Sequence, residues 1–441
     1  MVPLALSLRT PRWLGATVAR LRDRAPELIA DPRAPLYALG VVLVWSLVTR
    51  TLFIGDPCSN PCGTHTLIFD EAFYVNAARV IDHIRPPAGM PYAGVPLGVD
   101  PNAEHPQLAK LIIAGGIKLF GDDPWGWRIG SVMFGTVALL AMFGLVRGLG
   151  GSPWLAVGVT AVMSTDNLFI VHGRIATLDI YALAMMLGAA AAYVRRRPLL
   201  AGLLVGVAVC MKETAITVLL VFVLYELFLG AAREPGARRR LAGCCAVGAG
   251  TAVALLGVID QISVPYNPLT HVRYHSPFSE IAHIVSYGHS LTALAHATGI
   301  SSTPWQWLVD QTPIPYARVA ENTVAAGKVI ASHVLILFEG EVNPFIMFIA
   351  IPALILAAWG ARQGKRLDSF AVAWFLGTFL PFVVLSTFEH RITYLYYVLP
   401  VMPAIYLAGA RLFAGAGAVA ATGWAVALLV GVVELYPIRV F

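Results

Sequence analysis

The chain of 441 residues is 58% hydrophobic and only 13% charged, with a formal net charge of +6. A soluble domain averages about 25% charged residues, so this composition excludes one. The basic excess falls in short clusters between apolar runs, which is not the footprint of a nucleic-acid-binding protein.

The first 35 residues form a basic tail carrying Arg9, Arg12, Arg20, Arg22, Arg24 and Arg33. Its apolar run is short and no small-residue cleavage site follows, so it reads as a cytoplasmic tail and not as a signal peptide. From residue 36 onward, apolar runs of about 20 residues recur, each long enough to cross a hydrocarbon core of roughly 30 Å. A β-barrel would show short alternating segments instead. The predicted spans are about 36–53, 129–146, 154–171, 176–194, 199–211, 214–231, 241–263, 343–361, 369–387, 394–410 and 412–433. With the N-terminus inside, Arg147, Arg195 to Arg197, Arg233, Arg238 to Arg240, Arg362, Lys365, Arg366 and Arg411 all fall on the cytoplasmic side. Agreement between the dense basic clusters and one face supports both the count of 11 and the orientation.

Two long outer segments then remain, at about 54–128 and 264–342. The first begins with "CSNPC", where Cys58 and Cys62 can form a disulfide, remain thiols or bind zinc with His65, although a fourth ligand is lacking. It continues with "LIFDEAFYVNAARVI" and with "HPQLAKLIIAGGIKLFG", a helical piece too short to span that is expected to lie along the membrane surface. In "FGDDPWGWR", Asp123 before Pro124 has the form of a helix cap, with metal binding by the Asp pair as the sharper alternative. The second segment is rich in His, Trp and Tyr, which suits an interfacial belt. No internal repeat is visible.

Eight charged residues sit at or inside the outer ends of apolar runs: Asp70, Glu71, Arg128, Arg174, Asp179, Lys212, Glu213 and Arg391. A charge near the bilayer centre costs at least about 2.5–3.5 kcal/mol, so together they indicate a polar cavity lined by helix ends. All but Arg128 also have a structural alternative. Asp70 and Glu71 can cap a surface helix, Arg174 and Asp179 can pair with each other, a tight turn can expose Lys212 and Glu213, and Arg391 can snorkel to headgroups. Two carboxylates, fixed cations and a membrane fit sugar transfer from a lipid phosphate. A carboxylate base takes the acceptor proton, and cations receive the charge growing on the leaving phosphate. No Gly-rich phosphate loop is present, and no nucleotide is needed.

The ordered motifs "DE" in the first outer loop, "HPQLAKLIIAGGIKLFGDDPWGWRIGSVMFGT", "DNLFIVHGRIATLDIYALAMM", "PWQW", "NPFIMFIAIPALI" and "RITYLYYVLPVMPAIYL" resemble the protein O-mannosyltransferases, within the GT-C class of polyprenyl-phosphate-sugar-dependent glycosyltransferases. The resemblance covers about residues 36–411. It implies an all-α polytopic fold of about 11 transmembrane helices with outer-face surface helices, and residues 36–441 as one catalytic domain. It also implies Asp70 as catalytic base, Glu71 as its partner near the acceptor and Arg128 as a functionally important Arg. Lys212 and Arg391 become candidates for binding the donor phosphate, His105 matches the His of the "HP" motif, and Arg174 and Asp179 fall in its "D…R…LD" segment. Two departures stand out: the usual "HPPLGK" reads "HPQLAK", and the large extracytoplasmic insert of eukaryotic members is missing, which points to a bacterial type. The expected activity is inverting transfer of a sugar, mannose by resemblance, from a polyprenyl-phosphate donor to a hydroxyl acceptor on the outer face of the cell membrane. Protein Ser/Thr is the first acceptor, with lipid A or another envelope glycan as alternatives. No metal is demanded and no nucleic acid is expected. A transporter or flippase for lipid-linked sugars is the rival from another class, and a non-catalytic assembly factor a third.

Overall fold

The computed structural model describes residues 31–58, 65–229, 235–292, 299–309, 313–325 and 327–436. The basic tail up to residue 30, Cys62 and Arg233 lie outside the described residues. The apolar runs singled out above are mostly helical among the described residues; the run at 394–410 opens with a single 3-10 turn (Leu395–Val398) and is α-helical only from Met402. The helices are α1 (Ala34–Thr51), α4 (Pro124–Gly148), α5 (Pro153–Ser164) with α6 (Asn167–His172), α7 (Asp179–Val194), α8 (Pro198–Met211), α9 (Thr217–Leu229) and α10 (Ala237–Ile262). Later come α13 (Pro344–Met347) with α14 (Ala350–Arg362), α15 (Arg366–Phe388), α16 (Met402–Ala416) and α17 (Ala418–Leu435). By length and apolarity alone, six of the described helical segments can cross a membrane: α1, α4, α10, the α13–α14 unit, α15 and α17. The others are shorter or broken.

The break between α5 and α6 is made by polar groups that serve each other. The Asp166 carboxylate caps α6 and accepts from the Asn343 backbone amide (2.9 Å) and the Tyr406 hydroxyl (2.5 Å). Asn343, which caps α13, donates its side-chain amide to the carbonyls of Thr165 and Leu428, both at 2.9 Å. Backbone freed at membrane depth is thus re-satisfied inside the protein. Close helix contact elsewhere depends on small residues. A Cβ at Gly202 would lie 2.5 Å from the Cys244 carbonyl, and one at Gly206 2.7 Å from that of Gly248, so α8 and α10 touch backbone to backbone. α7 is buried on nearly every side, between α4 and α8.

The outer segments carry α2 (Glu71–Ile81), α3 (Leu108–Phe120), α11 (Pro277–Ser290) and the single turn α12 (Pro304–Trp307). Strands β1 (Val99–Asp100) and β2 (Val264–Pro265) pair in parallel and tie the two segments together. One element departs from the all-helical expectation: β3 (Ile314–Ala325) and β4 (Lys328–Gly340) form a long antiparallel hairpin, with Val324 opposite Val329 beside the turn. β-Branched residues in both strands and Gly327 at φ +73° in the turn account for it. Finally, the Tyr436 hydroxyl beyond α17 donates to the Thr49 carbonyl (2.7 Å), so the last helix ends beside the C-terminal end of α1.

Candidate active site

Asp70 and Glu71 are neighbours in sequence with opposite fates. Phe69, just before them, is held at φ +51°, a conformation costing a non-glycine residue about 1–2 kcal/mol. Stacking offsets it: the Phe69 ring lies 4.2 Å from that of Tyr316 and 5.5 Å, edge-on, from Tyr396. The turn starts α2 with Asp70 in helical backbone geometry, and its side chain makes no capping bond. The half-buried Asp70 carboxylate therefore does not cap α2 and has no hydrogen-bond partner among the described residues. Burial pushes it up to about 6. Lys212 and His105 pull it down and Asp179 pushes it further up.

Glu71 is fully buried. Its Oε1 accepts from Arg128 Nε (2.8 Å) and the Ala176 amide (2.8 Å), and its Oε2 from Arg128 Nη2 (2.7 Å) and the Ile68 amide (2.7 Å). Four donors fill the carboxylate. The placement expected from the resemblance, Glu71 beside an acceptor, is therefore corrected: Glu71 is an anchor inside the protein. Arg128 is used up too, since it also donates to the carbonyls of Ile54 (2.5 Å), Asp56 (2.8 Å) and Thr66 (3.5 Å). This fork pins the first outer loop to α4 and to the start of α7, and so sets where Asp70 points.

Around Asp70 lie two ion pairs from separate elements. Lys212, the C-cap of α8, donates to Asp179 Oδ1 at the start of α7 (2.6 Å). Its ammonium also lies over the rings of Tyr396 (5.3 Å) and Tyr397 (5.7 Å). Burial works against the charge on Lys212, but Asp179 and its neighbours outweigh it and the ammonium is held above its ordinary value. His105 Nδ1 lies 3.0 Å from Glu213 Oε2, and because an ionised carboxylate only accepts, that nitrogen carries the proton. Burial works to raise Glu213; His105 and Lys212 more than offset it and hold the acid at about 2. Tyr74 packs edge-on against His105 (6.0 Å), and the Tyr316 hydroxyl is 2.8 Å from His172 Nε2. The result is a pocket of tyrosines and imidazoles with a fixed ammonium, two paired acids and one unpaired acid.

The remaining sequence candidates lie elsewhere or are engaged differently. Arg174 does not pair with Asp179. It donates to the carbonyls of Leu52 (2.9 Å) and Phe53 (2.8 Å) and lies over Phe338, so it fastens the end of α1. Lys212 is buried, not turned out to solvent. Arg391 is half-buried, and its Nη1 donates to the Gly288 carbonyl in α11 (2.8 Å). Asp123 caps α4 by accepting from the amides of Trp125 (2.8 Å) and Gly126 (3.1 Å). Asp122 binds Arg79 (3.0 Å) and the Trp127 indole (2.7 Å), so neither Asp is free for a metal. Cys58 is disulfide-bonded. Among the described residues, no group of three or more His, Cys, Asp or Glu could hold a metal ion. A cavity of about 450 Å³ lies at the other end of the helices, beside Trp359, Lys365 and Arg411. Its acid, Asp368, is already paired with Arg411 (2.5 Å).

The sequence model of the dolichyl-phosphate-mannose-protein mannosyltransferases matches residues 104–259. A polyprenol-phosphate-mannose–protein mannosyltransferase of Corynebacterium glutamicum is 25% identical over 453 residues, covering 86% of this chain and 82% of that protein. One from Mycolicibacterium smegmatis is 26% identical over 157 residues, 35% of this chain and 28% of its own length. The fold is similar to that of the Saccharomyces cerevisiae protein O-mannosyltransferase Pmt1–Pmt2 complex bound to its sugar donor, with a TM-score of 0.66, 11% identity and coverage of 94% and 92%. The Archaeoglobus fulgidus oligosaccharyltransferase follows at a TM-score of 0.54 and 13% identity, covering 93% of this chain and 57% of that one. Over most of its length the chain is similar to the protein O-mannosyltransferases. It is a membrane glycosyltransferase with the GT-C fold.

The stretch matched by the family model contains His105, Arg128, Arg174, Asp179 and Lys212; Asp70 precedes it and Arg391 follows it. The departure "HPQLAK" has a structural use, since Gln107 donates to Asp260 (2.9 Å) and so joins the start of α3 to the end of α10. Sequence reasoning missed Tyr74, His172 and Tyr316 as pocket residues. Tyr396 and Tyr397 stood inside a quoted motif, but Tyr316 lies in "TPIPYARVA", where nothing local marks it.

Proposed function

We propose that this chain transfers mannose from a polyprenyl-phosphate-linked donor to a serine or threonine hydroxyl of a polypeptide, in one inverting displacement, on the extracytoplasmic face of the cell membrane. Asp70 removes the acceptor proton as the acceptor oxygen bonds to the anomeric carbon. The bond from that carbon to the phosphate oxygen breaks, and the lipid phosphate leaves with the electron pair. Lys212 meets the growing phosphate charge, held by Asp179 and the tyrosine faces, and Arg391 meets it from the α11 side. His105 and Glu213 hold the rim beside Asp70.

One observation carries the reading. Of the four acids Asp70, Glu71, Asp179 and Glu213, Asp70 alone has no hydrogen-bond partner, and burial lifts its carboxyl to about 6, where a carboxylate is a useful base at neutral pH. The named activity of the matched relatives supports the donor and the protein acceptor. The basic clusters support the outer face: Arg195 to Arg197 follow the far end of α7, whose near end carries Asp179, and Arg238 to Arg240 lie at the far end of α10.

The test is incubation of the purified protein with radiolabelled polyprenyl-phosphate mannose and a Ser/Thr-rich peptide. Label should appear on the peptide with the anomeric configuration inverted. Label on lipid A or another glycan in place of the peptide would move the acceptor, and transfer to no hydroxyl at all would overturn the proposal.

A further inference from the structure

Eleven buried side-chain nitrogen and oxygen atoms among the described residues lack a hydrogen-bond partner, and five of them belong to one cluster at the outer end of α10. They are Gln107 Oε1, Asp260 Oδ2, Ser263 Oγ and both carboxylate oxygens of Glu280. The four residues are at most 2% exposed. Contacts hold them together: Gln107 Nε2 donates to Asp260 Oδ1 (2.9 Å) and to the Ser263 carbonyl (3.3 Å), and the Glu280 carboxyl faces that of Asp260. They come from three elements: the start of α3, the end of α10 and the first turn of α11.

Two adjacent carboxylates out of water are expensive unless something positive meets them. The nearby cations are committed or distant. Lys110 is bound to Asp100 (2.5 Å) and to the carbonyls of Asn102 (2.5 Å) and His105 (2.8 Å). His275 acts on Asp260 only through space, and the His283 ring is stacked on Tyr274 at 4.5 Å. The Cys210 thiol donates to the Ala252 carbonyl (3.6 Å), and a thiol offers no positive charge. A single shared proton would occupy one oxygen from each acid and leave Gln107 Oε1 and a Glu280 oxygen bare. A divalent cation has a use for such oxygens, because Ca²⁺ and Mg²⁺ take carboxylate, amide and other oxygen ligands, and a turn of the Gln107 amide would offer it Oε1. The location suits a cation further: Asp260 lies in the last turn of α10 and Ser263 is its C-cap, the negative end of the helix.

We propose that Gln107, Asp260, Ser263 and Glu280 form an oxygen-ligand site for a hard divalent cation, outside the Asp70 pocket. The ion ties α11 to the body of the protein. α11 carries Gly288, whose carbonyl holds Arg391, and Gln107 lies two residues after His105. The site is therefore structural, bracing two groups on the rim of the pocket from behind.

The test uses the full chain in detergent, stripped with EDTA and equilibrated at pH 7.5 with radioactive Ca²⁺, and separately with Mg²⁺ and Mn²⁺ read by mass spectrometry. One ion per chain should bind saturably and raise the unfolding temperature, and Glu280→Gln and Asp260→Asn should each weaken binding at least about tenfold. Should those variants fold poorly, Gln107→Ala, which keeps both acids, should still weaken binding. Uptake of none of the three ions by the wild type beyond Glu280→Gln overturns the proposal. A wild-type unfolding temperature that ignores all three ions but falls as pH rises through about 8, where burial and Asp260 push the Glu280 carboxyl, also overturns it in favour of a shared proton.

Discussion

Replacing Asp70 with Asn separates a catalytic base from a structural acid, because the two roles move stability in opposite directions. Asn keeps the size of Asp and removes its charge. Burial, with Asp179, raises the Asp70 carboxyl from 3.8 to about 6 in the folded protein. At 1.36 kcal/mol per pK unit, that corresponds to about 3 kcal/mol of folding free energy. The group is half-buried, so solvent screening reduces the figure to about 1–2 kcal/mol. The folded protein binds this proton more tightly than the unfolded chain, so the contribution to stability is fully present below about pH 4 and is lost as pH rises through 6. At pH 7.5 Asp70→Asn should therefore be more stable than the wild type by about 1–2 kcal/mol, and the difference should vanish near pH 4. Turnover should fall by at least about 100-fold, since general-base catalysis is worth about 10²–10⁴, while the donor lipid still binds. Thermal unfolding at the two pH values, beside a mannosyl-transfer assay, reads both effects. Near-normal turnover in the folded variant would remove Asp70 as the base. A variant less stable at pH 7.5 would refute the electrostatic account, because the carboxylate would then be held by contacts that the structure does not contain.

The same raised acid sets the pH profile: kcat/KM for transfer should climb about tenfold per pH unit up to about pH 6 and then level, and a flat profile between 5 and 7 would contradict Asp70 as base. Glu71→Gln strands the buried Arg128 guanidinium, at a cost of about 3–5 kcal/mol; expression and folding yield should collapse, and a well-folded inactive protein would return Glu71 to the chemistry. Arg391→Met should weaken donor binding about tenfold or more, the worth of a charge-assisted hydrogen bond, with the unfolding temperature almost unchanged. Lys212→Met should weaken donor binding too but also destabilise the protein by unpairing Asp179. Adding Asp179→Asn should restore stability and not donor binding, and restoration of both would end the phosphate role of Lys212. Reporters fused after Arg240 and at the C-terminus should read opposite sides of the membrane, because α17 ends beside the outer end of α1.

Much of the fold was legible because it depends on local patterning and on the solvent. An apolar run of about 20 residues must satisfy its own backbone in a membrane, and helix is how it does so; the described parts of these runs are mostly helical. Caps obey the same local logic, as Asp123 before Pro124 does. The hairpin of β3 and β4 was not read, because its strands gain stability only by pairing with each other and, through Tyr316 and Phe338, by packing on distant parts of the chain. For the candidate site, sequence alone marked out a membrane-end cluster of acids and cations, since charge among apolar residues is conspicuous and costly. It did not determine who pairs with whom. Arg174 beside Asp179 read as an ion pair, yet Asp179 takes Lys212 and Arg174 takes backbone carbonyls. Asp70 and Glu71 are identical in charge and adjacent in sequence, but successive helical residues face different directions. One carboxylate is turned into the pocket without a partner and the other into the core with four donors. Only the tertiary structure decides that, because Arg128 of α4 and the Ala176 amide before α7, which supply three of the four bonds to Glu71, meet it nowhere but in the folded protein.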